Sequence, residues 1–311
     1  MPTHTDNEPL SIANIRGAVI SPFRYPGGKS WLSPLVEEWL RSKEERVSTF
    51  VEPFAGGASV ALAIAAAGLA DRVVLVERDP DVAAVWKCVL GKDAEALATK
   101  IVEFDLTTEA VRVLLASTPT TTLERAFRTI VWNRVSHGGR MTQRAGLLRE
   151  GERSKGLKSR WYPVTLATRI RAISALSTLV TFYEGDAFDY LPTFCDDPNA
   201  VLFIDPPYSA TSKGAGERLY SCSELDHEAL FERAQLHVGT VLLTYANDPT
   251  VRALATRSGF SVQPVLMRTT HHADKAELLI SRDVAWVKPA AENIAAIKAA
   301  ADKTSRNHSS I

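Results

Sequence analysis

The sequence predicts an α/β protein, a mostly parallel sheet with covering helices into which a mainly helical and basic region is inserted. Three observations predict it. From Val47 onward short β-rich runs alternate with helical ones. That rhythm breaks for almost ninety residues after Leu90, and the break holds most of the chain's charge asymmetry.

The elements follow in order. A Gly-Gly-Lys turn precedes a helix in Pro22–Leu40, with Trp31, Leu35 and Leu40 on a broadly apolar face. Val47–Glu52 reads as a strand, then come a Gly turn and the Ala-rich helix Ala58–Ala67. Arg72–Glu77 is a second strand, and Pro80, suited to a first helical turn, opens Asp81–Leu90. After the insert, Leu179–Glu184, Ala200–Ile204, Thr240–Tyr245, Phe260–Leu266 and Ala276–Ile280 read as strands. Helices are expected around Glu224–His237 and Pro249–Arg257, and the tail after Val287 reads as a short helix with a frayed end. The expected division is residues 1–91, an insert over 92–177, a second α/β part over 178–288, and a polar tail over 289–311.

With 311 residues, 45% hydrophobic and 23% charged, the composition is that of a soluble globular protein. Cys88, Cys195 and Cys222 lie far apart, which suggests neither a disulfide framework nor a zinc site, so a reducing, cytoplasmic setting is expected. The first twenty residues lack the pattern of a signal peptide, and the longest apolar run, Ala58–Ala67, is too short to span a bilayer. Formal charge is zero, yet Thr121–Arg171 holds ten Arg and two Lys against three Glu, a net +9 that the rest balances with −9. The centre of that stretch, Asn133–Pro163, mixes Gly, Ser, Arg and Lys with Trp161 and Tyr162. Such a segment suits either a solvated surface or a loop lying along phosphates.

Two motifs carry chemistry. In FVEPFAGGASVAL (Phe50–Leu62) a strand runs through Gly56-Gly57 into a helix, so backbone can approach a ligand closely and helical N–H groups face it. Glu77 follows Gly57 by twenty residues, the spacing of an acid that receives ribose hydroxyls in doubly wound folds. In VLFIDPPYSA (Val201–Ala210) an acid ends a buried strand, where open α/β sheets bind ligands. The two prolines stiffen the corner and leave carbonyls outward. The group that fits Asp205-Pro206-Pro207-Tyr208 is an aromatic ring bearing an exocyclic amine: carboxylate and carbonyl accept its hydrogens while the tyrosine stacks. Lys29 does not belong to a phosphate loop, because the glycine spacing of that motif is missing.

The order YPGGK, EPFAGG, basic insert, DPPY resembles the Dam-like, D12-class DNA adenine-N6 methyltransferases over roughly Pro22 to Arg282. The resemblance implies a Rossmann-like methyltransferase sheet, S-adenosylmethionine as cofactor and double-stranded DNA as substrate. Matched residue by residue, it implies cofactor contacts at Tyr25, Pro26, Gly27, Gly28, Lys29, Glu52, Pro53, Phe54, Gly56, Glu77, Asp186 and Asp205. Asp205, Pro206, Pro207 and Tyr208 form the catalytic corner that holds the target adenine. Arg134, Arg140, Arg144, Lys155, Lys158 and Arg160 are the candidate DNA-binding side chains. The last small position of the F-x-G-x-G pattern is Ala58 here, which keeps the close approach if its φ is negative. The ribose acid is Glu rather than the commoner Asp, and no role is carried to Thr244-Tyr245.

The resemblance implies no membrane and no metal; His271-His272 reads as a loop near phosphates rather than a ligand pair. A cognate restriction endonuclease as partner and a monomeric state are the accompanying expectations. Two other readings stand beside this one: methylation of an RNA amine or a protein amide, which suits the same corner, and a DNA-binding relative without turnover. Trp161 is the one tryptophan of Asn133–Pro163 and a candidate intercalating ring.

Overall fold

The computed structural model describes residues 21–24, 28–139, 147–148, 156–207, 225–268 and 274–287. Its centre is a seven-stranded sheet ordered β3-β2-β1-β4-β5-β7-β6. The strands are β1 (Val47–Glu52), β2 (Ala70–Glu77), β3 (Val180–Glu184), β4 (Ala200–Ile204), β5 (Thr240–Ala246), β6 (Ser261–Arg268) and β7 (Asp274–Ser281). The first five are parallel, whereas β7 lies antiparallel to both β5 and β6. All five residues of β4 are buried, as a strand covered on both faces requires, which is why it reads as an unbroken apolar run.

Ten α-helices flank the sheet: α1 (Ser33–Ser42), α2 (Ser59–Ala67), α3 (Pro80–Val89), α4 (Ala94–Glu103), α5 (Thr108–Ala116), α6 (Thr122–Val135), α7 (Pro163–Ser174), α8 (Ala187–Tyr190), α9 (His227–Leu236) and α10 (Pro249–Arg257). That count covers the described residues. Local chemistry sets their ends. Asp79 caps α3, accepting from the Asp81 and Val82 N–H groups ahead of Pro80. Thr121 and Glu124 form a reciprocal capping box on α6.

The insert between β2 and β3 shares its core with the sheet. Leu97, Ile101, Phe127, Ile130 and Leu166 join Val73, Leu75 and Trp86 in one apolar cluster, while α8, α9 and α10 cover the opposite face. Trp161 belongs to this core, 9% exposed and edge-on to Phe104 at 6.0 Å, so the intercalating role is withdrawn. Aromatic packing wins over exposure because burying an indole removes a large apolar area from water.

Strand order reverses between β1 and β4: β2 and β3 extend one way, β5 and the hairpin the other. The crevice at such a reversal, outside the carboxyl ends of the strands, is where open α/β sheets take ligands. Glu52 ends β1, Glu77 ends β2, and Asp205 follows β4 directly. No helix among the described residues is long and apolar enough to cross a membrane.

Candidate functional site

The site divides into a glycine turn with its acids and the Asp205-Pro206-Pro207 corner after β4. The turn begins where β1 ends. Gly56 takes φ +46°, its N–H donates to Glu77 Oε2 at 2.9 Å, and its carbonyl accepts from the buried Trp86 indole at 3.0 Å. Ala58 takes φ 46°, ψ 36°, contrary to the negative φ expected of it, so α2 starts one residue later, at Ser59. The left-handed region crowds a Cβ against the following carbonyl and is the natural place for glycine. The tight turn closed by Ala58 N–H to the Ala55 carbonyl imposes it nonetheless. Ala58→Gly is therefore expected to raise stability by about 0.5–1 kcal/mol, read as a higher midpoint in urea.

Glu77 is held by the backbone: Oε1 accepts from Asp79 N at 2.8 Å and Oε2 from Gly56 N. Burial pushes its carboxyl up to about 7, against the opposing pull of those donors. The next strand end brings Asp186 alongside, because Glu77 pairs with Glu184 in register and Gly185 N–H donates to the Glu77 carbonyl. Asp186 caps α8 through Phe188 N at 3.0 Å and receives Arg78 at 2.9 Å. Two carboxylates on neighbouring strand ends beside a close-approach turn can take the hydroxyls and the amine of a nucleoside.

Glu52 lies deeper, 4% exposed, its Oε2 accepting from Ala61 N at 2.9 Å in the first turn of α2. Burial drives its carboxyl well up, and Asp205 adds to the shift. Pro53 is buried and Phe54 half-buried beside the turn. Gly28 is described but Tyr25, Pro26 and Gly27 lie outside the described residues, as does Tyr208 of the corner.

Around Asp205 the structure gathers side chains from β5, β7 and a loop. Lys29 Nζ stands 2.9 Å from Oδ1 and 3.0 Å from Oδ2, and 3.5 Å from Glu277 Oε2. Thr244 Oγ1 donates to Oδ1 at 2.7 Å. Lys29, Thr244 and Glu277 are all buried. Desolvation opposes the Lys29 charge, but the two carboxylates outweigh it, and its pKa lies above the ordinary lysine value. Pro206 is buried and Pro207 half-buried. Tyr245 places its hydroxyl 2.9 Å from His227 Nδ1, and burial together with Asp205 pushes its pKa up, so the phenol stays neutral.

Sequence reasoning missed Thr244 and Glu277 as partners of this corner. A signal for Glu277 existed: one acid inside the apolar run AELLI, where Leu278, Leu279 and Ile280 are fully buried. Lys29, one of the residues expected at the cofactor, is paired with Asp205.

The basic insert needs correction. Arg134 is 4% exposed and donates to the Pro22 carbonyl at 2.6 Å, so it is no groove-facing cation. Burial lowers its pKa, with Arg169 and Arg24 nearby. Its neighbour Asn133 takes both backbone groups of Arg24, at 2.8 and 3.0 Å, so the end of α6 pins the segment that leads into the Gly-Gly-Lys turn. Arg134→Ala is expected to cost about 3 kcal/mol of unfolding free energy in urea titration, against under about 0.5 for an exposed arginine. Other charges are also engaged: Arg171 forks onto Glu95 at 2.6 and 2.8 Å, and Arg128 donates to the Leu115 carbonyl at 3.0 Å. Lys158 is largely exposed, 3.9 Å from Asp105, and Arg160 is half-buried. Arg140, Arg144 and Lys155 lie outside the described residues, as do His271 and His272.

Residues 25–111 match the D12 class N6 adenine-specific DNA methyltransferase family. No curated protein matches the chain. Among solved structures, the chain is similar to a Listeria monocytogenes protein assigned to the class I S-adenosylmethionine-dependent methyltransferases, at 10% identity and TM-score 0.38, covering 89% of this chain and 67% of that one. It is similar at 12% identity and TM-score 0.32 to a precorrin-6y C5,15-methyltransferase from Geobacter metallireducens, covering 79% of this chain and 84% of that one. A glycopeptide N-methyltransferase complexed with S-adenosylmethionine matches at 13% identity and TM-score 0.32, covering 80% and 92%.

Proposed function

From a chain whose residues 25–111 carry the D12-class methyltransferase signature, we propose a DNA adenine-N6 methyltransferase that uses S-adenosylmethionine and flips its target base. The observation that carries the reading is Asp205, held at the carboxyl end of β4 at the strand-order reversal and followed by Pro206-Pro207. The donor set suits the cofactor: the Gly56 turn would let backbone approach it, Glu77 would receive the ribose hydroxyls, and Asp186 would receive the adenine amine. When bound, the cofactor supplies an electrophilic methyl group on a sulfonium.

The chain's own residues then do the positioning. Adenine N6 lies inside the stack of duplex DNA, so the base must leave it, at a cost of a few kcal/mol. Lys158 and Arg160, with Arg140, Arg144 and Lys155 of the same stretch, would hold phosphates while the base is out. Asp205 accepts a hydrogen bond from the N6 amine and a corner carbonyl accepts the second, which turns the nitrogen lone pair away from ring conjugation and toward the methyl. Tyr208 stacks on the base. Catalysis is preorganisation of polar groups already in place, and no covalent enzyme intermediate is involved. The expected cellular setting is cytoplasmic, with one active site per monomer; a partner nuclease is compatible with such an enzyme.

The test is expression in a host lacking adenine methylation, followed by single-molecule sequencing of its genome. The expected result is N6-methyladenine in one short motif, absent with Asp205→Ala. Cofactor binding without any modified DNA base would move the substrate to RNA amines or protein amides, and DNA binding without turnover of any substrate would leave a binding relative.

A further inference from the structure

Outside the strand-end acids the least expected feature of the crevice is a buried carboxylate on β7. Glu277 is 2% exposed, in register with Ala246 of β5 and Val265 of β6, on a strand whose next three residues are fully buried apolar ones. An ionised carboxylate taken out of water loses several kcal/mol of hydration unless a partner is fixed beside it. Its partner is Lys29, whose ammonium lies 3.5 Å from Glu277 and within 3.0 Å of both Asp205 oxygens. Lys29 comes from the loop ahead of α1, Asp205 from the corner after β4, and Glu277 from the antiparallel hairpin, so three remote segments meet at one charge.

We propose that Glu277 is a positioning residue of the methyl-transfer site, which fixes the Lys29 ammonium so that Lys29 and Thr244 together orient the Asp205 carboxylate toward the target amine. This rests on the function proposed above. The geometry gives each part a task. A lysine on a flexible stem defines a direction only when its charge is held from two sides. Here Asp205 takes one side and Glu277 the other. Thr244 Oγ1, 1% exposed, donates to Oδ1 at 2.7 Å and fixes rotation about the carboxylate bond. The acceptor lone pairs left to Asp205 then have one orientation instead of a swept range, and methyl transfer, which depends on near-attack alignment, gains from that. Among the described residues, Glu52 of β1 and Tyr245 of β5 are titratable groups coupled to this cluster; Glu52 feels both Lys29 and Asp205, and Tyr245 feels Asp205.

The experiment uses the full chain and three variants, wild type beside Glu277→Gln, Glu277→Asp and Thr244→Val. Glu277→Gln keeps the shape and removes the charge. It is expected to lower the single-turnover methylation rate about tenfold with cofactor affinity unchanged within about twofold. The same variant is expected to move the alkaline limb of the rate profile down by about one pH unit, since Lys29 loses one of the two charges that hold its proton. Glu277→Asp, which keeps the charge, restores the wild-type limb. Thr244→Val lowers the rate about tenfold without moving the limb. A folded Glu277→Gln variant with wild-type rate and limb overturns the proposal. The Lys29 ammonium is followed independently by 15N NMR on lysine-labelled protein. A titration midpoint about one unit lower in Glu277→Gln supports the clamp, and an unmoved midpoint overturns it. That signal requires no turnover, so a wild-type protein that methylates no DNA would sink the proposed function while the clamp is still decided. If Glu277→Gln fails to fold, Glu277→Asp and Thr244→Val carry the test, a moved limb in either overturning it.

Discussion

Asp205→Asn is expected to lower methyl transfer by about 10²–10³-fold while cofactor affinity stays within about threefold. Two consequences of one atom exchange produce the loss. Asn keeps a single acceptor oxygen, so whichever way its amide turns its NH2 meets a donor, either the target amine or Lys29 and Thr244. It also removes the charge that Lys29 contacts through both carboxylate oxygens, leaving the buried ammonium with Glu277 at 3.5 Å. Breaking a buried pair from one side costs about 3–5 kcal/mol, so thermal stability is expected to fall as well. Radiolabelled methyl transfer under single-turnover conditions, with cofactor affinity by calorimetry, separates the two effects. A variant that retains more than a tenth of the wild-type rate would remove Asp205 from the chemistry. Affinity lost in step with rate would place it at the cofactor instead.

The second large effect is at Glu77. Its carboxyl is pushed to about 7 by burial, so it exchanges its proton within the working range of most assays. As the proposed ribose acid, the ionised form would accept from two hydroxyls, whereas the protonated form offers one acceptor less and a donor in its place. Cofactor affinity is therefore expected to weaken about tenfold between pH 8 and pH 6, the change that follows from one proton taken up at about 7. Glu77→Gln should abolish that slope and weaken affinity at pH 8 by about 10–100-fold. The ligand-free protein behaves in the opposite sense. A carboxyl raised above its unfolded value holds a proton in the folded state that the unfolded chain has lost. Its contribution to stability is thus highest below the unfolded value and falls as pH rises through about 7. Glu77→Gln should remove that pH dependence from the free protein's stability, while its NH2 meets one of the two backbone N–H groups that Glu77 accepts from. Calorimetry at three pH values and urea titrations at pH 6 and pH 8 check both slopes. A flat affinity profile in the wild type would mean that Glu77 is not the ribose acid.

Much of the fold was legible locally because its signals are local. The seven strands could be read because buried parallel strands are short apolar runs and the hairpin retains β-branched and apolar residues. Pro80 behind the Asp79 cap, and Pro249 behind the Asp248 cap, fixed two helix starts. The acids at the ends of β1, β2 and β4 were readable because a polar residue after an apolar run marks the point where a strand leaves the sheet. Ala58 was not. Its left-handed φ is imposed by closure of a turn between two buried elements, and alanine gives no local hint of it.

Charge counts were the weakest guide. The +9 stretch suggested an open cationic face, but Arg134 is spent on the Pro22 carbonyl, Arg128 on the Leu115 carbonyl and Arg171 on Glu95. A count cannot separate such side chains from phosphate-facing ones, since an arginine becomes a scaffold part only through what folds against it.

By itself the sequence determined the α/β class, the position of the insert and the order of the two chemical motifs, because periodicity, glycine turns and strand-end acids are properties of neighbours along the chain. The tertiary structure alone decided that Lys29 meets Asp205, 176 residues away, and that Glu277 and Thr244 close around them. Which charges face one another depends on strand order and hairpin direction. Those are fixed by the global burial of both sheet faces, and no local stretch encodes them.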